Sequence, residues 1–180
     1  YKIDVVRTPQ QVIDSAIRTI AYTSELSWRQ TANLNYEWKI DTVGKKLNID
    51  GDYFYRVSDR GRNFETENRY ADGSLTGVRH NDRTEGLQTT GIRSLKADLI
   101  LPNKWFSLSL GGKISSIHNV SNNVFLHKLN DGYARDLDLS NEFDYKENTQ
   151  AAYISAQKAI GKWAAQIGLR YEQTQTEGVS

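Results

Sequence analysis

The stretch SWRQTANLNYEWKID, residues 27–41, decides the fold, because its alternation separates two kinds of surface. Trp28, Ala32, Leu34, Tyr36, Trp38 and Ile40 fall on one face, interrupted only by Gln30. Arg29, Thr31, Asn33, Asn35, Glu37 and Lys39 fall on the other. Successive side chains of a strand point to opposite faces, so this is a ribbon with one apolar and one wet surface. Trp28 and Trp38 share the apolar face ten residues apart. At about 3.3 Å per residue that is roughly 33 Å, or roughly 23 Å along a membrane normal if the strand tilts by about 45°. The apolar band of an outer-membrane barrel is about 25 Å tall between its aromatic girdles. Strands of soluble sheets are usually about 5–6 residues long.

Composition narrows the choice. The chain has 180 residues and a mean hydropathy of -0.65, and no run approaches the ~18 apolar residues of a membrane-crossing helix. A barrel strand is apolar only at every second residue, so this hydropathy is compatible with a β-type membrane protein. Ten Tyr, five Phe and four Trp argue against disorder. Cysteine is absent, which removes disulfides and thiolate metal sites. Basic and acidic residues number 23 and 22, so no electrostatic footprint for nucleic acid exists and no such partner is expected. The chain opens on Tyr1-Lys2-Ile3. The expectation is a leader already removed, or a piece cut from inside a longer protein.

The pattern predicts an all-β antiparallel meander of about six long strands, at residues 27–41, 46–58, 90–101, 105–116, 142–159 and 163–176. Short turns are expected near Val43-Gly44, Pro102-Asn103 and Gly161-Lys162, and long polar loops over 59–88 and 117–141. The facing of 142–159 stays open: Phe143, Tyr145 and Tyr153 share one face with Ala151, while Ala152, Ile154 and Ala156 share the other. Alternating short and long connections are those of an outer-membrane barrel. Three tryptophans, Trp38, Trp105 and Trp163, sit within three residues of a short turn, where an aromatic belt belongs. Residues 1–26 read as a loop or short helix at the extracellular end. Thr8-Pro9-Gln10-Gln11 has the form of a helix start, and Ile13, Ala16, Ile17 and Ile20 recur at helical spacing. Residues 27–177 form the wall segment, and no second domain is expected.

Four segments carry a family resemblance: 33–41 with its Gly44 turn; 94–98 before Leu101-Pro102; 143–148; and 168–172 after Gly161-Lys162-Trp163. On these the chain resembles part of the barrel of TonB-dependent outer-membrane receptors, and more narrowly the outer membrane protein beta-barrel family grouped with them. The resemblance covers about residues 27–177. It implies a parent with a plug domain, a TonB-contacting segment and about 22 strands, located in the cell outer membrane. Its partners would be membrane lipid, the rest of the barrel and its plug, TonB, and an unknown nutrient ligand.

Facing follows from alternation. Trp28, Tyr36, Trp38, Tyr53, Trp105 and Trp163 are the expected lipid-facing girdle, with Leu34, Leu47, Ile49, Leu99, Phe106, Leu108, Leu110, Ile167 and Leu169. Arg29, Glu37, Lys39, Asp50, Asp52, Lys96, Asp98, Lys113, Arg170 and Glu172 should face the lumen. Candidate chemistry is sparse. His118-Asn119-Val120-Ser121 puts a base near a hydroxyl, yet no orienting partner or oxyanion donor accompanies them, and no enzyme is expected. Asp131, Asp136 and Asp138, near Glu142 and Asp144, lack Ca²⁺-loop spacing, and His80 and His127 lack metal-ligand spacing, so no metal or cofactor is expected. Arg56, Arg60, Arg62, Arg69, Arg79, Arg83 and Arg93 could meet an anionic surface, although acidic neighbours nearly neutralise them.

The leading expectation is therefore a wall segment of a receptor importing a bulky nutrient. A small complete barrel with a structural or adhesive role, and a soluble β-sheet ligand-binding module, are the alternatives. Closure takes about eight strands, and six alone leave two unpaired edges, so the isolated segment is not expected to transport.

Overall fold

The structure, a computed structural model, describes residues 2–7 and 13–180, with side chains over 15–76 and 80–180. It is one sheet of seven antiparallel strands in chain order. These are β1 (Lys2–Arg7), β2 (Ile13–Lys39), β3 (Lys46–Tyr70), β4 (Leu75–Pro102), β5 (Ser107–Leu129), β6 (Gly132–Ile160) and β7 (Trp163–Val179). The meander and its turns at residues 40–45, 103–106 and 161–162 agree with the alternation.

Two expectations are corrected. Residues 13–26 continue β2 as strand, paired with β1 below Thr19 and with β3 from Ser15 upward. Three isoleucines, two threonines and Tyr22 between 13 and 23 favour a pleated backbone. A helix there would also strip β3 of its partner from Asp59 to Tyr70. The supposed helix start at residues 8–11 lies outside the described residues. The second correction concerns the long loops, which are hairpins. Residues 59–88 fold back at 71–74, where the Ser74 carbonyl accepts from Tyr70 N–H at 2.8 Å and Asp72 accepts from Ser74 N–H at 2.8 Å. Residues 117–141 turn through Asn130-Asp131 alone. The asymmetry of the molecule is thus one of strand overhang, not of loop length.

Register also fixes the facing of β6. Ile154 pairs with Leu110 and Leu169, and Ala152 with Gly112 and Tyr171, so the even residues of 142–160 join the tryptophan face. The ladder irregularity lies elsewhere, between Asn123 and Phe125.

No second layer covers this sheet among the described residues. Ala151 is the buried apolar residue and Ser58 the buried polar one, whereas Leu34, Ile167 and Leu169 are 69%, 74% and 76% exposed.

Turn chemistry is specific. Asp41 accepts from the backbone N–H groups of Val43, Gly44 and Lys45 at 2.9, 3.1 and 3.0 Å, and these bonds hold its carboxyl below the usual range. Gly73 has φ +83, while Gly132 has no positive φ, and neither has an atom within 4 Å of a built Cβ. Gly73→Val in the full parent protein should therefore lower unfolding free energy by about 1–2 kcal/mol, the cost of a side chain in the left-handed region. Gly132→Val should be near neutral. Denaturant titration in micelles checks the difference, and equal effects would contradict the turn geometry.

Candidate functional site

Cross-strand pairing sorts the wall into two faces. On one, Trp28 pairs with Val57, Tyr36 with Ile49 and Trp38 with Leu47, and the rows continue through Leu99, Leu110, Ile154 and Leu169. Trp163 opens β7 on this face. Its upper apolar limit is Trp28 on β2, Val57 on β3, Leu95 on β4, Ile114 on β5, Ala152 on β6 and Tyr171 on β7. Above that limit Ile20, Tyr22, Leu26, Leu87, Val120, Val124 and Leu126 also lie on this face, but there they are interspersed with charged residues such as Asp59, Glu65, Arg93 and Asp144. Followed through the register, Tyr171 is level with Tyr36, so the limit descends eight residues from β2 to β7. That is roughly 26 Å along the strands against roughly 24 Å across them, or strands inclined about 45° to the band. Outer-membrane barrel strands tilt by about 35–45°.

The lower border descends in the same sense, from Trp38 near the first short turn to Trp163 at the third. Trp105 is corrected here: it lies in the turn before β5, so alternation does not set its face. The Asn103 side chain accepts from the N–H groups of Trp105 and Phe106 at 2.7 and 3.1 Å, which delays the strand. Phe106 leaves the strand for the same reason. One charge, Lys158, enters the apolar face, near the third turn, with its ammonium 5.8 Å from the Trp105 ring centroid.

The opposite face gathers Arg29, Glu37, Lys39, Asp50, Asp52, Lys96, Asp98, Lys113, Arg170 and Glu172 through pairs such as Asn33–Asp52, Lys96–Lys113 and Ala151–Glu172. Asp52 accepts from Asn33 Nδ2 at 2.6 Å and from Ser94 Oγ at 2.8 Å, tying β2, β3 and β4. Lys46 bridges to Glu37 at 2.9 Å. Tyr153 reaches from β6 over Gly111 and donates its hydroxyl to Asp98, which also holds Lys96 at 2.6 Å. A Cβ on Gly111 would overlap the Tyr153 ring. The Arg170 guanidinium lies 5.7 Å from the same ring centroid and pairs with Glu172. One polar chain therefore spans β4 to β7.

The other sequence candidates separate. His118 and Ser121 differ in parity on an unbroken part of β5, so they face opposite ways and cannot act as a pair. His118 instead meets Asp144 at 2.9 Å. Asp136 and Asp144 pair with Phe125 and Val120, five residues apart on β5, roughly 16 Å, so the acidic residues do not converge. The arginines are largely matched: Arg56 and Arg60 with Glu25, Arg69 with Glu67, Arg83 with Glu85. Arg62 donates to Thr23 and covers Phe64.

Sequence reasoning missed a clasp at the overhang tip. His127 on β5 contacts Asp82 on β4 at 2.7 Å through Nδ1 and Asp136 on β6 at 2.8 Å through Nε2. Asn130-Asp131-Gly132 was the available signal, because a tight turn there brings residue 127 toward 136. The Asp82 and Asp136 hydrogen bonds raise the His127 pKa above 6.5. Asp136 is lowered from 3.8, first by the Leu139 N–H and then by His127.

Two outcomes follow. Tyr153→Phe should cost about 1 kcal/mol for a lost hydrogen bond, and Gly111→Ala about 1–3 kcal/mol because the ring must leave. Combined, they should cost less than their sum, and a double-mutant cycle by denaturant titration checks this. At the tip, stabilisation by His127 is complete below pH about 6.5 and is lost as pH rises through its higher folded value, while that by Asp136 is lost as pH falls through its lowered folded value. Amide exchange over 125–139, corrected for intrinsic rate, should show protection falling from pH 6 to 9. His127→Gln should flatten the profile.

No curated protein matches the chain. A profile of the outer membrane protein beta-barrel family matches residues 38–180, most of the length and all of the tilted band except β2, of whose band it includes only Trp38. The chain belongs to the outer membrane protein beta-barrel family.

Proposed function

We propose that this segment forms part of the wall of an outer-membrane barrel that imports a bulky nutrient, with the tryptophan face against lipid and the charged face toward the lumen. The tilted apolar band carries the reading. Between its borders the tryptophan face bears no charge except Lys158 at its lower edge, whereas the opposite face bears Arg29, Glu37, Asp50, Asp52, Lys96, Asp98, Lys113 and Arg170 at the same levels. Lys or Arg on a lipid face costs roughly 2–4 kcal/mol at the midplane.

Edges support incorporation in a larger wall. Among the described residues, 20–39 of β2 pair only toward β3, and β7 pairs only toward β6. Lipid satisfies no backbone N–H or C=O, so these edges need further strands of the parent barrel. Height supports bulky cargo. β6, 29 residues of which three are surplus at its bulge, rises roughly 60 Å along the normal at about 45°, which leaves an overhang of about 35 Å beyond the apolar band. The resemblance to TonB-dependent receptors contributes the plug and energised uptake. The wall performs no bond chemistry in this reading, and the cargo passes unchanged.

Single cysteines in the full parent protein test the facing. Leu99→Cys, Ile154→Cys and Leu169→Cys should react with a lipid-soluble label, and Asp98→Cys and Lys113→Cys with an aqueous one. The reverse pattern would overturn the assignment. Import is tested by deleting the parent and, separately, TonB, then measuring growth on a panel of single bulky nutrients. Growth unchanged across the panel would overturn import.

A further inference from the structure

We propose that the outward face carries a binding site for a phosphorylated, acylated glucosamine lipid of the outer leaflet, centred on Arg93. The inference rests on the facing proposed above. A groove of about 470 Å³ opens at the upper border of the apolar band, with Arg93, Asn148, Gln150 and Gln175 on its polar side and Leu95 and Ile114 on its apolar side. A second groove, of about 430 Å³, shares Leu95, Ile114 and Gln150 and continues over Ala97, Gly112 and Ala152 to Tyr171.

Register explains the shape. Ala97, Gly112 and Ala152 form one row across β4, β5 and β6. Taller rows flank it, Leu95 with Ile114 above, and Leu99, Leu110 and Ile154 below. The flanking rows are four residues apart, roughly 13 Å, and the small row between them makes a trough one side chain deep that ends at Tyr171. This is a bed for a single acyl chain. Directly above, Arg93 and Asn148 flank Ser116, whose small side chain opens the polar pocket.

The charge on Arg93 selects the head group. Arg56, Arg60, Arg69, Arg83 and Arg170 each hold a carboxylate, whereas Arg93 is exposed and has no ion pair or side-chain hydrogen bond among the described residues. The next outward charges above it on β5 and β6, His118 and Lys146, already contact Asp144 at 2.9 and 3.5 Å. A guanidinium offers paired donors to a phosphate. The amides of Asn148, Gln150 and Gln175 suit the hydroxyl and amide groups of an acylated amino sugar. The overhang lies on this side of the band, which puts the row at the outer leaflet.

The test uses the full parent protein in nonionic detergent, titrated with bis-phosphorylated lipid A or with phosphatidylglycerol and read by native mass spectrometry. Lipid A should bind at least tenfold more tightly than phosphatidylglycerol. Arg93→Gln should weaken lipid A binding about tenfold. Gly112→Leu should fill the trough and do likewise; a Cβ there meets only the Ala151 carbonyl oxygen, at 3.5 Å. Lys113→Gln, on the opposite face, should bind as the wild type. Equal binding of the two lipids, or wild-type binding by Arg93→Gln, would overturn the site. Aqueous labelling of Leu99→Cys would instead overturn the facing on which it rests, so the two failures are distinguishable.

Discussion

Everything in this molecule depends on a wall one sheet thick. With Ala151 the buried apolar residue among those described, almost none of the ordinary hydrophobic stabilisation of a soluble domain is available. Cohesion comes from backbone ladders, and each strand keeps its place through its neighbours. The apolar face must find its own apolar medium, and the inclined band gives the dimensions of that medium. A soluble sheet would need a second layer over Trp28, Leu34, Ile167 and Leu169, and none covers them here.

Such a wall needs its register specified, because a slip by one residue would exchange its two faces. The charged face supplies that specification laterally. Asp52 ties β2, β3 and β4, and Tyr153 reaches over Gly111 to Asp98, joining β4 to β6. Each contact is modest alone. Their geometry is what counts, since a Tyr153 shifted by one residue would point to the other side. Glycine at 111 is required by the close approach of the ring.

How much was legible follows from solvent. Within the band apolar and polar residues alternate, so the strands around Trp28–Trp38, Leu95–Leu101 and Trp163–Tyr171 could be read directly. Above the band both faces carry polar and charged residues, and the period-2 signal vanishes although the ladder continues. Residues 59–88 and 117–141 therefore read as loops in the sequence despite Asp72-Gly73 and Asn130-Asp131-Gly132, both turn signals. The Ile13–Ile20 spacing fits a helix or a strand about equally, and only partners on β1 and β3 decide. That the ten charges share one face was legible from parity alone. The His127 clasp was legible only in part: Asn130-Asp131-Gly132 signals the turn that brings 127 toward 136, but the Asp82 contact depends on the β4–β5 register, which leaves no mark in composition.

The irregularity in the β5–β6 ladder has a consequence for how the chain tolerates change. Between Asn123 and Phe125 the pairing on β6 jumps from Asn141 to Asp136, so β6 holds surplus residues there. Asp136 accepts from the Asp138 and Leu139 N–H groups at 2.9 and 3.0 Å, and Ser140 Oγ accepts from Phe125 N–H at 2.9 Å, so the surplus backbone is satisfied locally. The surplus also rephases the strand: in an unbroken ladder Asp136 would sit on the face away from His127. The bulge therefore works as a phase adjuster, able to absorb an odd insertion or deletion before it reaches the band. Variation in length is accommodated at the tip, while the reading frame of the wall below stays fixed.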